Sequence, residues 1–122
     1  MTQKINRNKQ KTLSSSLREK KRYVVYEVLS ECSFLSKDVK DAVVFSFKEL
    51  FGVEGLAKAS LEFIEYSEGK GIIKVTTKGL DMLRASFCFV RKINKDEVLL
   101  RSLGVSGMLK KARIKFISGG RS

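Results

Sequence analysis

Between residues 23 and 117, short β-rich runs alternate with helical stripes in the order β-α-β-β-α-β-α, which few architectures accommodate. The first run, Tyr23-Val24-Val25-Tyr26-Glu27-Val28-Leu29, is β-branched and aromatic and predicts a strand. Ser36 then suits a helix N-cap, with Asp38 in the first turn and Gly52 just past the end. The stripe of that helix is Val39, Ala42, Val43, Phe47 and Leu50. Residues 61–66 and 72–77, joined through Gly69-Lys70-Gly71, predict a hairpin. Leu80, Leu83, Phe87 and Val90 fall at helical spacing and predict a second helix over 80–93. After a turn at 94–96, residues 97–103 predict a fourth strand. Residues 104–117 predict a basic terminal helix with Val105, Leu109, Ala112 and Phe116 along one side. The expected fold is α/β (α+β): a ferredoxin-like split βαβ sandwich (βαββαβ) with an added C-terminal helix, formed by residues 17–122.

A chain of 122 residues that is 43% hydrophobic suits one domain with a modest core. No apolar run approaches the roughly 18 residues that a membrane span needs, and the N-terminus has no apolar stretch of the signal-peptide kind. A cytoplasmic chain with no membrane partner is therefore expected. Residues 1–16 are mostly Lys, Gln, Asn, Ser and Thr, with Ile5 and Leu13 the main large apolar residues, and predict a basic tail that does not order by itself. Cys32 and Cys88 lie in apolar sequence surroundings, which predicts buried thiols in a reducing compartment.

Residues 1–22 hold eight Lys/Arg against Glu19 alone, residues 101–122 hold six and no acid, and the stretch between is nearly neutral. A near-neutral core with two basic ends predicts a polyanion partner, most simply a nucleic acid. The candidate RNA-binding residues are Arg18, Lys20, Lys21 and Arg22 at one end. At the other they are Arg101, Ser106, Lys110, Lys111, Arg113 and Lys115. Gly104 and Gly107 flank Val105-Ser106 at the expected helix start, where backbone N–H groups have room to approach a phosphate; an ordinary capped helix start accounts equally well for the same residues.

An enzyme is poorly supported. The chain has no His, and two distant cysteines cannot assemble a metal site without one. Glu62 and Glu65, three apart on a strand, are expected on opposite faces and so cannot act as a pair. Gly69-Lys70-Gly71 lacks the helix that a phosphate-cradling loop must open. A base-stacking sheet is also disfavoured, because one expected face carries Tyr23, Val25 and Glu27 beside Ile72, Lys74 and Thr76, a single aromatic near a carboxylate. Val44, Phe45, Met82 and Phe89 fall off the helix stripes and predict a surface for a protein partner or for self-association.

Several segments in order carry a resemblance: Leu17-Arg18-Glu19-Lys20-Lys21-Arg22-Tyr23; Leu50-Phe51-Gly52 followed by Gly55-Leu56-Ala57; Ile64-Glu65-Tyr66 with Gly69-Lys70-Gly71-Ile72-Ile73; and Arg101-Ser102-Leu103-Gly104-Val105-Ser106-Gly107 before a basic helix. Over about residues 17–116 the chain resembles archaeal ribonuclease P protein component 2, the counterpart of a subunit shared by eukaryotic ribonucleases P and MRP. It departs from that pattern at Met108, where a small polar residue such as Thr is expected, and in a tail that is Ser-rich where the family often has Pro. The resemblance implies a subunit of an RNA-based endoribonuclease that removes the 5′ leader of precursor tRNA. It further implies no catalytic residue and no cofactor on the protein itself, with Mg²⁺ held by the RNA subunit. The implied partners are ribonuclease P RNA and the TIM-barrel-like component 3, in a two-plus-two assembly. The alternative is a ribosomal or other structural RNA-binding protein. A small-molecule-sensing or acyl-phosphate-hydrolysing domain would need a convergent anion pocket, which charge gathered at the chain ends does not suggest.

Overall fold

The Tyr23–Leu29 run has no clean alternation of apolar and polar residues, because the strand it forms is covered on both faces. In the computed structural model, which describes residues 20–119 and side chains to residue 114, this strand is β1 (Lys21–Leu29). The chain continues through α1 (Ser36–Ala59), β2 (Glu62–Ser67), β3 (Lys70–Thr76) and α2 (Leu80–Phe89). Then come β4 (Lys92–Ile93), β5 (Asp96–Glu97), β6 (Leu99–Ser106) and α3 (Leu109–Gly119). Four strands form an antiparallel sheet in the order β2-β3-β1-β6, with β1 and β3 inside, the split βαβ arrangement expected.

On one face α1 and α2 pack over the sheet. Val24, Tyr26, Ile73 and Val75 meet Val39, Val43, Phe47, Leu83 and Phe87, all buried. On the other face Ala112 of α3 presses on Val25 and Ile72, with Tyr23, Ile64, Leu103 and Leu109 around them. The added helix therefore makes a third layer. Tyr26 is fully buried with its ring 5.4 Å from that of Phe87, and burial, reinforced by Tyr66, holds its phenol in the neutral form well above the ordinary range. Gly71 is required opposite it, since a Cβ there would lie 2.6 Å from the Tyr26 ring.

Several boundaries differ from expectation for identifiable reasons. Ser36 is the first helical residue and Leu35 the cap, with no side chain capping that end. Gly52 does break the helix, at φ 70° and ψ −175°, but a second helical piece follows and runs to Ala59, anchored by that buried residue. The second helix stops at Phe89 rather than 93, because Val90 turns extended and Asn94 and Lys95, both at positive φ, close the small β4–β5 ribbon. Gly104 lies inside β6, paired with Val25, so the terminal helix begins at Leu109.

The pairing of β2 with β3 slips between Phe63 and Glu65, so Glu62 faces Lys74 and Glu65 faces Ile72. This bulge places Glu62 and Glu65 on the same face, correcting the expectation of opposite faces. Cys32 and Cys88, expected to be buried, are both exposed. Among the described residues no helix is long and apolar enough to cross a membrane. The tail at 1–16, Arg18, the Lys115 side chain and the Phe116 side chain lie outside the described residues.

Candidate nucleic-acid interface

The antiparallel ladder brings the two basic stretches to one end of the sheet. Tyr23 of β1 pairs with Ser106 of β6, so Lys20 and the first residues of β1, Lys21 and Arg22, lie beside the turn that starts α3. The Arg22 guanidinium donates to the Lys21 carbonyl (3.0 Å), and its Nη1 lies 3.8 Å from where a Cβ on Gly107 would stand. Ser106 serves this turn directly: its hydroxyl accepts the Met108 amide and donates to the Met108 carbonyl, both at 3.1 Å. The hydroxyl thus satisfies a donor at the helix start. Lys110 and Lys111 follow, exposed, with Ala112 buried behind them against the sheet.

Two other candidate arginines are engaged elsewhere. Arg101 sits toward the far end of β6 and donates through Nε to Glu27 (2.7 Å). Arg113 donates through Nε to Glu65 of β2 (3.0 Å), with both side chains partly exposed. Exposed pairs of this kind contribute about 0.2–1 kcal/mol each. Their larger effect here is to place positive charge against negative, so these guanidiniums offer less net charge to a ligand than Lys20, Lys21, Lys110 or Lys111. Glu27 and Glu65 are both weighed in the sequence, but not as partners of Arg101 and Arg113. The acid–base pairing across strands that could have found them depends on register, and in β2 on the bulge.

The sheet face of Tyr23, Val25 and Glu27 is opposed by Lys74, Ile72 and Lys70. Its one aromatic is occupied, with Lys74 Nζ 5.7 Å from the Tyr23 ring centroid, and its centre lies under α3. No base-stacking platform remains there.

Of the residues expected to face a protein partner, Phe45 and Phe89 are 67% and 62% exposed. They line a groove of about 450 Å³ between α1 and the end of α2, together with Ala42, Leu50 and Val90. Val44 is half-buried. Met82 packs on the core from between the helices, its Cε 2.9 Å from a Cβ position on Gly55. Of the two stripe residues that line this groove, Val90 is buried in the core as expected, whereas Leu50 is exposed.

The Rpp14/Pop5 family model matches residues 22–117. Ribonuclease P protein component 2 of Thermococcus gammatolerans is 37% identical over 114 residues, covering 92% of this chain and 95% of that protein. The protein of the same name from Methanococcus vannielii is 36% identical over 107 residues, covering 88% and 82%. A chain in the cryo-EM structure of yeast ribonuclease MRP superposes with a TM-score of 0.62 at 11% identity, over 84% of this chain and 90% of that one, a likeness of fold. Matched along nearly its whole described length by the family model and by full-length relatives, the chain belongs to the Rpp14/Pop5 family.

Proposed function

We propose that the chain is a protein subunit of a cytoplasmic ribonuclease P, binding the enzyme's RNA and supporting removal of the 5′ leader from precursor tRNA. The observation that carries this reading is the meeting of Lys20, Lys21 and Arg22 with the Ser106–Lys111 helix start at one end of the sheet. Support also comes from family membership and from the names of the relatives. Cations held there lower the repulsion between RNA phosphates that must approach one another, and release condensed counterions as they bind. The contribution is to positioning. Among the described residues no three acids or cysteines converge. Mg²⁺ belongs, on this reading, to the RNA. Component 3 and a second copy of the chain are the protein partners, with the Phe45–Phe89 groove as the apolar face available to them.

The test is reconstitution of precursor-tRNA cleavage on the RNA subunit with wild-type chain and with Lys110→Ala/Lys111→Ala. Two lost phosphate contacts reduce the log–log salt slope of RNA binding by about 1.4 to 1.8 and raise the Mg²⁺ needed for cleavage. An unchanged slope and Mg²⁺ requirement, with normal circular dichroism, would mean that α3 serves packing only.

A further inference from the structure

The end of the sheet where β1 begins gathers more positive charge than the two terminal clusters supply. Here α1 ends, β3 ends and α2 begins, and Thr76 ties the three together. Its hydroxyl donates to the Lys58 carbonyl (2.8 Å) and accepts the Gly79 amide (3.1 Å). Gly79 lies so near α1 that a Cβ on it would stand 2.5 Å from the Ala59 Cβ. The next residue, Thr77, donates its amide to the Lys20 carbonyl (3.0 Å). Lys58 and Lys78 are thus exposed side chains on two turns bolted to each other and, through Lys20, to the start of β1.

Among the described residues the acids nearest this rim are Glu54, one turn before Lys58 in α1, Glu62 and Asp81. Glu62 faces Lys74 across the strands, and Asp81 is paired with Arg84 at 3.7 Å. At the opposite end of the strands, Glu31, Glu68, Asp96 and Glu97 are interleaved with Lys70, Arg91, Lys92 and Lys95. That end is close to neutral, so among the described residues the surplus of positive charge gathers at the rim, although residues 23–100 are nearly neutral in sum.

We propose that the RNA-binding surface extends from the junction of β1 with α3 onto this rim, with Lys58 and Lys78 contacting backbone phosphates alongside Lys20 and Lys21. The inference rests on the RNA-binding reading above and adds two residues that neither terminal cluster contains. Turns fixed by a buried hydroxyl and a close glycine contact hold their cations in a set spacing, so little backbone ordering is lost on binding.

The full-length chain, assembled with its partner subunits on transcribed ribonuclease P RNA, is titrated across a series of KCl concentrations. Lys58→Ala/Lys78→Ala is compared with Lys37→Ala/Lys48→Ala, which removes the same charge from exposed α1 positions off the rim. The rim variant lowers the salt slope by about 1.4 to 1.8 and the control leaves it unchanged. Gln at both rim positions, which keeps the apolar stem and removes the charge, gives the same loss. Wild-type salt dependence retained in both rim variants overturns the extension while leaving the Lys110/Lys111 site standing. Equal losses in rim and control overturn it too, by reducing the effect to net charge. Wild-type chain that shows no salt-dependent binding overturns the RNA-binding reading itself.

Discussion

Cys32 shows how far local sequence context can mislead at the level of one residue. Its neighbours Phe34 and Leu35 suggested burial, but the segment is the loop after β1, and Leu35 itself is 72% exposed. Exposure does not make this thiol reactive. Partial loss of water, then the charge and hydrogen bond of Asp96 and the charge of Glu31, push its pKa above the ordinary value. The neutral thiol therefore persists to higher pH, and the thiolate that reacts is scarcer at neutrality. In a Cys88→Ser chain, iodoacetamide is expected to modify Cys32 more slowly at pH 7 than it modifies free cysteine. The rate should rise through a midpoint above that of the free thiol, and Asp96→Asn should lower the midpoint. Modification at pH 7 as fast as free cysteine would contradict this account.

At the level of elements, periodicity carried the reading well and glycines carried it badly. The β1 run, the Val39–Val43–Phe47 stripe and the Leu80–Leu83–Phe87 stripe all lie in the core, because apolar spacing reports directly which side is buried. In the sequence Gly52 and Gly104 both look like punctuation. One joins two helical pieces and the other pairs within a strand, since a glycine permits a break without requiring one. The bulge at Ile64 and the two-residue strands β4 and β5 leave no periodic trace, so the shared face of Glu62 and Glu65 was invisible. Gly79 is the glycine on which the packing of elements most depends. Its φ of −89° suits any residue, so substitution tests close approach alone. Gly79→Ala forces a methyl against Ala59 and Val75 and is expected to cost about 1–3 kcal/mol, read from urea unfolding. A loss below a few tenths would mean that α1 and the turn before α2 separate without strain.

For the molecule as a whole, the candidate interface was legible as composition but not as geometry. Charge at both ends of the chain pointed to a polyanion, and the ladder brought the described parts of those ends together. Which cations remain uncommitted depended on acids whose positions only the register fixes, Glu27 and Glu65. The exposure of the off-stripe apolar residues was half legible: Phe45 and Phe89 are exposed, whereas Met82 packs on the core. If that groove mediates self-association, Phe45→Asp/Phe89→Asp should weaken it at least tenfold, about 1.4 kcal/mol, by analytical ultracentrifugation of the isolated chain. An unchanged mass distribution would locate the contact on another face.

The surplus of positive charge at one end of the strands also bears on events before any contact forms. A body with surplus cations at one end and a near-neutral other end has its centre of charge off its centre of mass, and in the field of a polyanion it turns before it arrives. Diffusing molecules would then reach the RNA with the start of β1 leading, so fewer collisions are wasted on the wrong orientation. Encounter should be fast at low ionic strength and slow steeply as the Debye length shrinks below the size of the domain. The groove on the helical flank, lying to the side of the strand axis, stays open to a protein throughout the approach.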